Sequence, residues 1–437
     1  MRKVCKGYMT WHVQNFKMRR VIVFGPGPKF KGGIANYNTS LAKALDRIGD
    51  VEVHIISWTQ QYPAIIPRDF IDRKSKTDQL KGTNIIVHYI TNYNNPLSWT
   101  RTFELIKDLN PDMAIFQWAI AIQGLPIGYI AKKLKQKTNI EVIFDLHFVK
   151  QKEGSFIDDY FTRMGIRYAH TYVVHAMKTA NELKQLFPKE NFNIVSKNQK
   201  SENAKTVIKL FHPIYDMFKP DPEFSIKEQK EKLKLNTFVF LFFGFIRKYK
   251  GLHHVITAFA RLTEKRKDVS LLIVGESFWQ TLDNNKLSTR IKKSVFGAVK
   301  SVFLLKKDDE KDYRPLDLIR QFNIEHKVTV VNEFVPNEDV HKYFQVSDCN
   351  VLFYLNATPS GVESISYNFR LPIIATKVGH FPETIIDGYN GYLAEPNNIE
   401  SMTAAMLKAI EKPIDRANMA ETSKEMSWDN YALAIIG

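Results

Sequence analysis

The stretch "NVLFYLNATPSGVESISYNFRLPIIATKVG", residues Asn350–Gly379, contains the pattern that decides the fold. An apolar strand ends, a Ser360-Gly361 step follows, a short amphipathic segment comes next, and Leu-Pro introduces a second apolar strand. Strand, helix and strand in this order indicate a parallel sheet. Because no side chain stands in the way at Gly361, the backbone N–H groups of the helix start suit a bound anion.

The same alternation runs through the whole chain. Short, β-branched apolar runs separated by helical patterns predict parallel sheets that are covered on both faces. Two sets of runs predict an α/β protein with two doubly wound domains that face one another across a cleft. The predicted strands are Val21–Gly25, Val51–Trp58, Asn84–Ile90, Met113–Trp118, Glu141–His147 and Thr171–His175 in the first set, and Phe238–Ile246, Ser270–Gly275, Lys327–Phe334, Asn350–Leu355 and Leu371–Thr376 in the second.

Length also favours two domains, because 437 residues exceed what one ordinary core accommodates. The seam is predicted near residues 209–224, where three prolines interrupt the helical periodicity. Met18 stands directly before the first strand, so the residues before it are either an N-terminal tail or the result of a translation start assigned too far upstream. The predicted divisions are a basic N-terminal extension (1–19), an N-terminal domain (20–210), a C-terminal domain (211–415) with a basic insert (about 282–315), and a C-terminal helix returning towards the N-terminal domain (416–437).

Composition narrows the classes of partner. The 62 basic and 46 acidic residues give a formal charge of +16, which attracts nucleic acid, anionic lipid or phosphorylated substrates. Neither a zinc-ligand spacing nor an RNP-like run is visible, so no nucleic-acid partner is expected. Cys349 lies in a predicted core strand, which favours a reduced, cytosolic protein. The uncharged run 113–131 contains two Gln and a Pro, and therefore predicts a strand, a turn and a helix start rather than a membrane span.

Two glycine-containing turns are candidate ligand sites. Gly32 and Gly33 stand at a predicted helix start, where glycine lets the backbone approach a ligand closely; an ordinary loop is the alternative. The spacing is not G-x-G-x-x-G, so a dinucleotide site is not favoured. In "FFGFIRKYKG" a strand ends at Gly244, and Arg247 and Lys250 follow at the carboxyl end of the predicted sheet. Their charges suit a diphosphate, and a solvated basic loop is the alternative.

These segments, in this order and spacing, resemble glycosyltransferase family 4, whose members have the GT-B fold. The resemblance extends from Arg20 to Asn430, nearly the whole chain. It rests on "GGIANY" with "LAKAL", "DLHF", "FHPIYDMF", "FGFIRKYKG", "IVGE", "VNEFVPNEDVHKYFQVSDCNVLFY", "SGVESISYNFRLPIIATKVGHFPE" and "SWDNYA".

The resemblance implies a retaining transferase that uses a nucleotide-diphosphate sugar and no metal or other cofactor. Gly32 and Gly33 would border the donor phosphates and the acceptor. Arg247 and Lys250, after Gly244, would neutralise the departing diphosphate, where most charge develops. The backbone N–H groups of Ser360, Gly361 and Val362 would hold the same group.

Two further positions follow from the resemblance. His147 would be the cleft histidine that contacts the sugar or the acceptor, or it would only cap the sheet. Family members often carry Glu-x7-Glu, whose second acid holds ribose or sugar hydroxyls, but the corresponding positions here are Ala357 and Ile365. Glu363 lies two residues early, on a different helix face, and is either a substitute ligand or a solvated helix residue. Sugar and base recognition are therefore left open.

A basic insert suggests a membrane contact. Within Leu287–Lys307, apolar residues recur at near-helical spacing and six Lys or Arg residues occur without an acid. Such a helix is suited to an anionic bilayer interface, and packing onto its own domain is the alternative. If it contacts a membrane, the protein is peripheral at the inner face and the acceptor is lipid-linked or membrane-proximal.

The leading functional prediction is transfer of a sugar from a nucleotide-diphosphate donor to a glycan or lipid-linked acceptor. A nucleotide-sugar epimerase or a phosphorolytic enzyme of the same fold is the second enzymatic interpretation. The third is a catalytically degenerate binding subunit of a polysaccharide assembly complex, which the missing acids suggest.

Overall fold

Two parallel sheets organise the protein in a computed structural model, which describes residues 18–62, 70–73, 78–150, 156–215, 218–277, 313–357, 359 and 361–437. The first sheet has the strand order β3-β2-β1-β4-β5-β6-β8-β7, and all its pairs are parallel. Its strands are β1 (Arg19–Phe24), β2 (Val51–Gln60), β3 (Ile86–Asn92), β4 (Met113–Trp118), β5 (Glu141–Leu146), β6 (Thr171–Val174), β7 (Phe192–Val195) and β8 (Lys205–Lys209).

The second sheet has the order β11-β10-β9-β12-β13-β14 and is parallel throughout. In both sheets the chain moves outward from a central strand, returns to the centre and then moves outward on the other side, which is the doubly wound topology. The strands of the second sheet are β9 (Phe238–Phe243), β10 (Val269–Val274), β11 (Val328–Val331), β12 (Cys349–Leu352), β13 (Ile373–Thr376) and β14 (Gly391–Ala394).

Helices cover both faces of each sheet, because the central strands are apolar on both faces. Val21 and Val23 of β1 face one apolar core, whereas Ile22 and Phe24 face another. The described helices are α1 (Gly33–Asp46), α2 (Pro96–Leu109), α3 (Gly124–Lys137), α4 (Phe156–Ile166), α5 (Met177–Leu186), α6 (Ile226–Lys232), α7 (Leu252–Lys265), α8 (Asp317–Gln321), α9 (His341–Phe344), α10 (Gly361–Asn368), α11 (Phe381–Thr384), α12 (Ile399–Glu411), α13 (Arg416–Glu425) and α14 (Trp428–Ile436).

The predicted α/β fold with two facing doubly wound domains is confirmed, and the eleven predicted strands are β1–β6 and β9–β13. Three short strands were not predicted, namely β7, β8 and β14. Their lengths are four, five and four residues, and β7 and β8 lie at one edge of the first sheet. Such short runs carry little periodic signal.

The C-terminal residues connect the two halves. Helix α13 packs on α10 of the second half, and α14 packs on α1 of the first. Arg47 of α1 forms an ion pair with Asp429 of α14, with 2.6 Å between Nη2 and Oδ1. The predicted domain limits themselves stay predictions.

Three predictions fall outside the described residues: most of the N-terminal extension (residues 1–17), the basic segment Leu287–Lys307, and Ser360. Among the residues that the structure does describe, no helix combines the length and the apolar character that crossing a bilayer requires.

Candidate active site

A cavity of about 280 Å³ lies between the two sheets, and both halves of the chain form its wall. Strands of a parallel sheet end at one edge, and ligands of such folds bind beside that edge. Both candidate glycine-containing turns face this one cavity. Six of the predicted site residues contribute to the wall: Gly32, Gly33, Gly244, Lys250, Gly361 and Val362.

The first-half wall is the turn between β1 and α1. Gly32 has a φ of 101°, and a Cβ atom built on it would meet no atom within 4 Å. The positive φ favours glycine, and the open space leaves the backbone accessible from the cavity. Next to it, the Gly33 carbonyl oxygen accepts a hydrogen bond from the Tyr215 hydroxyl at 3.1 Å. The connection between the two halves therefore fixes the glycine turn.

The second-half wall brings a buried cation to the start of a helix. A Cβ atom on Gly244 would lie 2.8 Å from Lys250 Nζ and 3.3 Å from Val362 Cγ2. The Lys250 ammonium thus lies beside both the turn after β9 and the first turn of α10. Burial, together with the smaller effect of the Arg247 charge, lowers the pKa of Lys250 to about 8.

Backbone contacts hold this loop in place. The Leu355 N–H donates to the Tyr249 carbonyl oxygen at 2.7 Å, which joins the loop after β9 to the loop after β12. Gly251 has a φ of 65°, and a Cβ atom there would lie 1.9 Å from the Phe353 carbonyl oxygen. Only glycine permits this close approach. Lys250 is therefore held against the carboxyl ends of the two central strands.

At the start of α10, the Tyr215 ring packs closely against one side of Gly361. A Cβ atom on Gly361 would lie 2.5 Å from Cε2 of Tyr215. The aromatic ring packs against the backbone of Gly361, and Val362 faces the cavity. First-turn N–H groups of a helix and a nearby ammonium are together suited to a phosphate group.

Arg247 lies next to this site but does not form part of the cavity wall as described. It precedes a short 3₁₀ turn, Lys248–Lys250, and its guanidinium carbon lies 6.0 Å from the centroid of the Tyr249 ring. Its charge is close enough to contribute to the lowered pKa of Lys250. The predicted role of Arg247 in neutralising a diphosphate stays a prediction.

His147 lies behind the cavity rather than in its described wall. It follows β5, is 7% exposed, and its Nε2 donates to Gln117 Oε1 at 2.8 Å. Its ring packs edge-on against Tyr37, with 4.6 Å between centroids. Burial lowers the pKa of His147 to about 4, so the imidazole is neutral at physiological pH. A sugar or acceptor contact through His147 stays a prediction.

His147 belongs to a buried polar cluster that was not predicted. Asp145 is fully buried, its Oδ2 accepts from the Tyr431 hydroxyl at 3.1 Å, and its Oδ1 lies 3.2 Å from His175 Nε2. Burial by itself would raise the pKa of Asp145, but the neighbouring His175 and His147 rings outweigh it, and the net pKa is lowered. On the other side, the Ser364 hydroxyl lies 2.8 Å from His212 Nδ1. The cluster therefore joins the first sheet, α14 and α10.

Glu363 lies in a buried polar environment near the start of α10. It is 5% exposed and its carboxylate forms hydrogen bonds with His380 and Thr384. It is therefore not a solvated helix residue, and it does not form part of the described wall of the large cavity. Ile365 contributes to that wall, so the position where family members often carry the second acid is apolar here. Donor binding by Glu363 stays a prediction.

Three acidic side chains of the cavity wall were missed: Glu276 after β10, Glu333 after β11, and Asp72 between β2 and β3. For the two glutamates, their position directly after apolar strands was the available signal, because residues there face the cleft edge of a parallel sheet. Aromatic rings form much of the remaining wall: Phe30, Tyr215, Phe218, Phe243, Phe245, Tyr249, Phe334 and Tyr354. Carboxylates and aromatic faces are suited to ribose hydroxyls and a base.

Within the described ranges, no three His, Cys, Asp or Glu side chains are grouped so that they could hold a metal ion.

Comparison with known proteins agrees with this arrangement. Residues 223–426 match the model of the family "Glycosyl transferases group 1". Over 68 residues the chain is 38% identical to an uncharacterized glycosyltransferase, MJ1178, of Methanocaldococcus jannaschii, covering 15% of this chain and 19% of that protein. Over 269 residues it is 23% identical to the capsular polysaccharide biosynthesis glycosyltransferase CapM of Staphylococcus aureus, covering 60% of each.

The matched segments span less than two thirds of either relative. A solved structure covers more of the chain: Anabaena HepE in complex with UDP and glucose superimposes with a TM-score of 0.60 over 96% of each chain, at 14% identity. At that identity the likeness concerns the fold. The protein has the GT-B fold, with two Rossmann-like domains and a cleft between them.

Proposed function

We propose that this protein is a retaining, metal-independent glycosyltransferase. It transfers a sugar from a nucleotide-diphosphate donor to a glycan or lipid-linked acceptor in the biosynthesis of a cell-surface polysaccharide or glycolipid. The observation that carries the proposal is the position of Lys250 Nζ beside Gly244 and Val362, in the cavity between the two domains. The match of residues 223–426 to the group 1 glycosyl transferases supports the reaction class.

The proposed chemistry uses the charge of the second-half wall. The bond between the anomeric carbon and the donor phosphate oxygen breaks, and its electrons leave with the diphosphate. Lys250, Arg247 and the first N–H groups of α10 stabilise that developing charge. The acceptor hydroxyl oxygen forms the new bond on the same face of the sugar, and its proton passes to an oxygen of the departing phosphate.

The order of the strands supports a proposed position for the rest of the donor. Lys250 and Gly361 follow β9 and β12, the central strands of the second sheet. From there the cavity wall continues over the ends of β10 and β11, through Glu276, Glu333 and Phe334. We place the nucleoside on that side, with the carboxylates accepting hydrogen bonds from ribose or base. The sugar and the acceptor then lie towards the Gly32–Gly33 turn.

Two of the compared proteins support the substrate class. HepE was solved with UDP and glucose, and CapM is named for capsular polysaccharide biosynthesis. We therefore propose a nucleotide-sugar donor and an acceptor that belongs to a growing surface glycan. No nucleic acid is proposed as a partner.

The proposed place of action is the cytoplasmic face of a membrane, with the protein bound peripherally. Nucleotide sugars and a reduced Cys349 suit the cytoplasm. A membrane contact through Leu287–Lys307 remains a prediction, since that segment lies outside the described residues.

The proposal is tested by thermal unfolding of the full chain with UDP, GDP, ADP and CMP. Binding to the folded state raises the melting temperature as the ratio of ligand concentration to Kd rises. We expect one nucleoside diphosphate to give the largest shift, and the matching nucleotide sugars to be turned over in the presence of a glycan or lipid-linked acceptor. If no nucleotide raises the melting temperature, the proposed donor site is wrong.

A second candidate function is nucleotide binding without transfer. Ile365 favours it, because an apolar side chain occupies the wall position where related enzymes often carry an acid. Binding of a donor with no product across a broad panel of sugars and acceptors would support this function. An epimerised sugar formed from the donor alone, or a reaction that requires inorganic phosphate, would instead indicate one of the two other enzymatic interpretations.

A further inference from the structure

Exposed apolar side chains are concentrated at one edge of the first domain. Large apolar residues at or near the starts of three helices, α2, α3 and α4, are unusually accessible for a folded protein. Their exposed fractions are 70% for Leu97, 39% for Ile122, 43% for Leu125, 76% for Phe156 and 57% for Tyr160.

Helices α3 and α4 run side by side in the same direction. A Cβ atom on Gly124 would lie 2.4 Å from the Phe161 carbonyl oxygen, and one on Gly128 would lie 2.6 Å from that of Met164. The later residue of α3 contacts the later residue of α4, so the two helices are parallel. The short distances show that they are closely packed. Both helices therefore begin towards the same end of the domain, and the first turn of α3 is level with the middle of α4.

The exposed stripe of each helix changes from apolar to basic along its length. On α4 the exposed positions are Phe156, Tyr160 and Arg163, and Arg167 follows one residue after the helix ends. These four residues are three or four positions apart, which is the spacing of one helix face. On α3, Leu125 is followed by the exposed Lys132 and by Lys133, which lies 5.6 Å from the Tyr129 ring centroid. From Leu125 to Lys132, and from Phe156 to Arg163, the rise is about 10 Å.

Along the common direction of the two helices, the surface therefore changes from an apolar tip (Ile122, Phe156 and Tyr160) through a mixed level, where Leu125 and Arg163 lie at similar depth, to basic residues (Arg167 and Lys132). We call this surface the layered face, with Ile122, Leu125, Phe156 and Tyr160 as its apolar layer and Lys132, Arg163 and Arg167 as its basic layer. Asp158 and Asp159 occur in the first turn of α4, where both are half-buried. The charged side chains of the two stripes that are exposed are basic.

The layered face is on the same edge of the sheet as the cavity. Helix α3 begins after β4, as the Gly32–Gly33 turn follows β1, and β1 and β4 are parallel neighbours. A surface against which the apolar layer rests would therefore lie on the cleft side of the domain.

We propose that the layered face docks on an anionic lipid bilayer, with the apolar layer at the boundary of the acyl chains and the basic layer at the level of the headgroup phosphates. An apolar tip backed by a ring of bases at this depth complements a charged bilayer interface. This contact adds a second, independent surface to the function proposed above. It does not involve Leu287–Lys307.

The test is sedimentation of the full chain with phosphatidylcholine vesicles, with and without phosphatidylglycerol. Wild type should bind vesicles that contain phosphatidylglycerol more tightly than those that lack it. Leu125→Ser with Phe156→Ser should weaken binding by about tenfold or more, because two apolar side chains leave the bilayer. Lys132→Gln with Arg163→Gln should weaken binding only to the anionic vesicles, by about fivefold per charge.

Matched controls carry the same changes elsewhere on the protein. Ile386→Ser removes an apolar side chain that is 60% exposed in the second domain, and Arg261→Gln with Lys265→Gln removes two bases of α7. Both should bind like wild type. Circular dichroism and thermal unfolding should show that all variants are folded.

Three outcomes would overturn the proposal: no vesicle binding, layered-face variants that bind like the controls, or loss of binding only when Lys292, Lys293 and Lys300 are replaced. Self-association that Phe156→Ser abolishes would mean that a second copy covers the face. The assay contains neither donor nor acceptor, so a failure of the proposed transfer reaction would leave its outcome unchanged.

Discussion

The Tyr215 hydroxyl donates a hydrogen bond to the Gly33 carbonyl oxygen at 3.1 Å, across the seam between the two domains. The same ring occupies the space that a side chain at Gly361 would need. One aromatic residue of the connecting segment therefore holds the glycine turn of the first domain and the helix start of the second at a fixed separation. The cavity between them is the site where we place the diphosphate.

This arrangement distinguishes two glycines. Gly361→Ala should destabilise the protein by about 1–3 kcal/mol, because its Cβ atom would overlap the Tyr215 ring. Gly33→Ala is the control: its Cβ atom would lie 3.6 Å from the Tyr215 hydroxyl, an ordinary contact, and should change stability by less than about 0.5 kcal/mol. Urea unfolding measures both. In a Tyr215→Ala background, Gly361→Ala should cost less stability than it does in wild type, because the overlapping ring is gone. An equal cost in both backgrounds would show that the overlap is not the cause of the loss.

Arg247→Ala should lower turnover by about a hundredfold or more, as removal of a group that stabilises a developing anion does. The measurement is steady-state transfer with the donor that the nucleotide screen identifies. Arg320→Ala, which removes an exposed arginine of α8, is the control and should leave turnover unchanged. Near-normal turnover in Arg247→Ala would remove this residue from the mechanism.

Donor binding should depend on pH through Lys250. With a pKa of about 8 in the free protein, Lys250 carries its charge below that pH and loses it above. The bound diphosphate favours the charged form, so the Kd of the nucleoside diphosphate should be level below about pH 8 and rise by up to about tenfold per pH unit above it. Isothermal titration calorimetry measures the profile. Lys250→Arg should remove the rise while retaining a cation, and an identical rise in Lys250→Met would assign it to another group.

Mild acid should destabilise the buried cluster. The pKa of His147 is lowered to about 4 from an ordinary value of 6.5, so between these values the unfolded chain binds a proton that the folded protein excludes. The free energy of unfolding should therefore fall as pH decreases through that window, by up to about 3 kcal/mol from this residue. Urea unfolding at about pH 7 and about pH 5 measures the loss.

His147→Phe should lose less stability than wild type over that step, because the unfolded variant has one proton fewer to bind. His326→Phe, at an exposed position, should lose as much as wild type. Equal losses in all three proteins would mean that His147 does not contribute to the acid sensitivity.

Much of the fold was predictable because parallel strands are buried on both faces and so appear as continuous apolar runs. The carboxyl ends of those strands then identified where Lys250 and the glycine turns would lie, and the structure places them at one cavity. Both inferences depend only on local pattern and on topology that such patterns imply.

The side-chain environments were harder to predict. Glu363 was predicted either to bind a ligand or to face solvent; it does not face solvent, because its carboxylate bonds to His380 and Thr384, which follow a different strand. Asp145 and Tyr431 are 286 positions apart and meet only because α14 returns to the first domain. Long-range contacts of this kind leave no periodic signal in a single sequence.

The central claim is that a pyrophosphate group is bound between Lys250 and the first turn of α10. The most direct test is a crystal structure of the full chain with the nucleoside diphosphate that most raises its melting temperature. We predict phosphate oxygens within hydrogen-bonding distance of Lys250 Nζ and of the backbone nitrogens of Gly361 and Val362. A diphosphate bound outside the interdomain cavity, or inside it but away from both Lys250 and α10, would contradict the account.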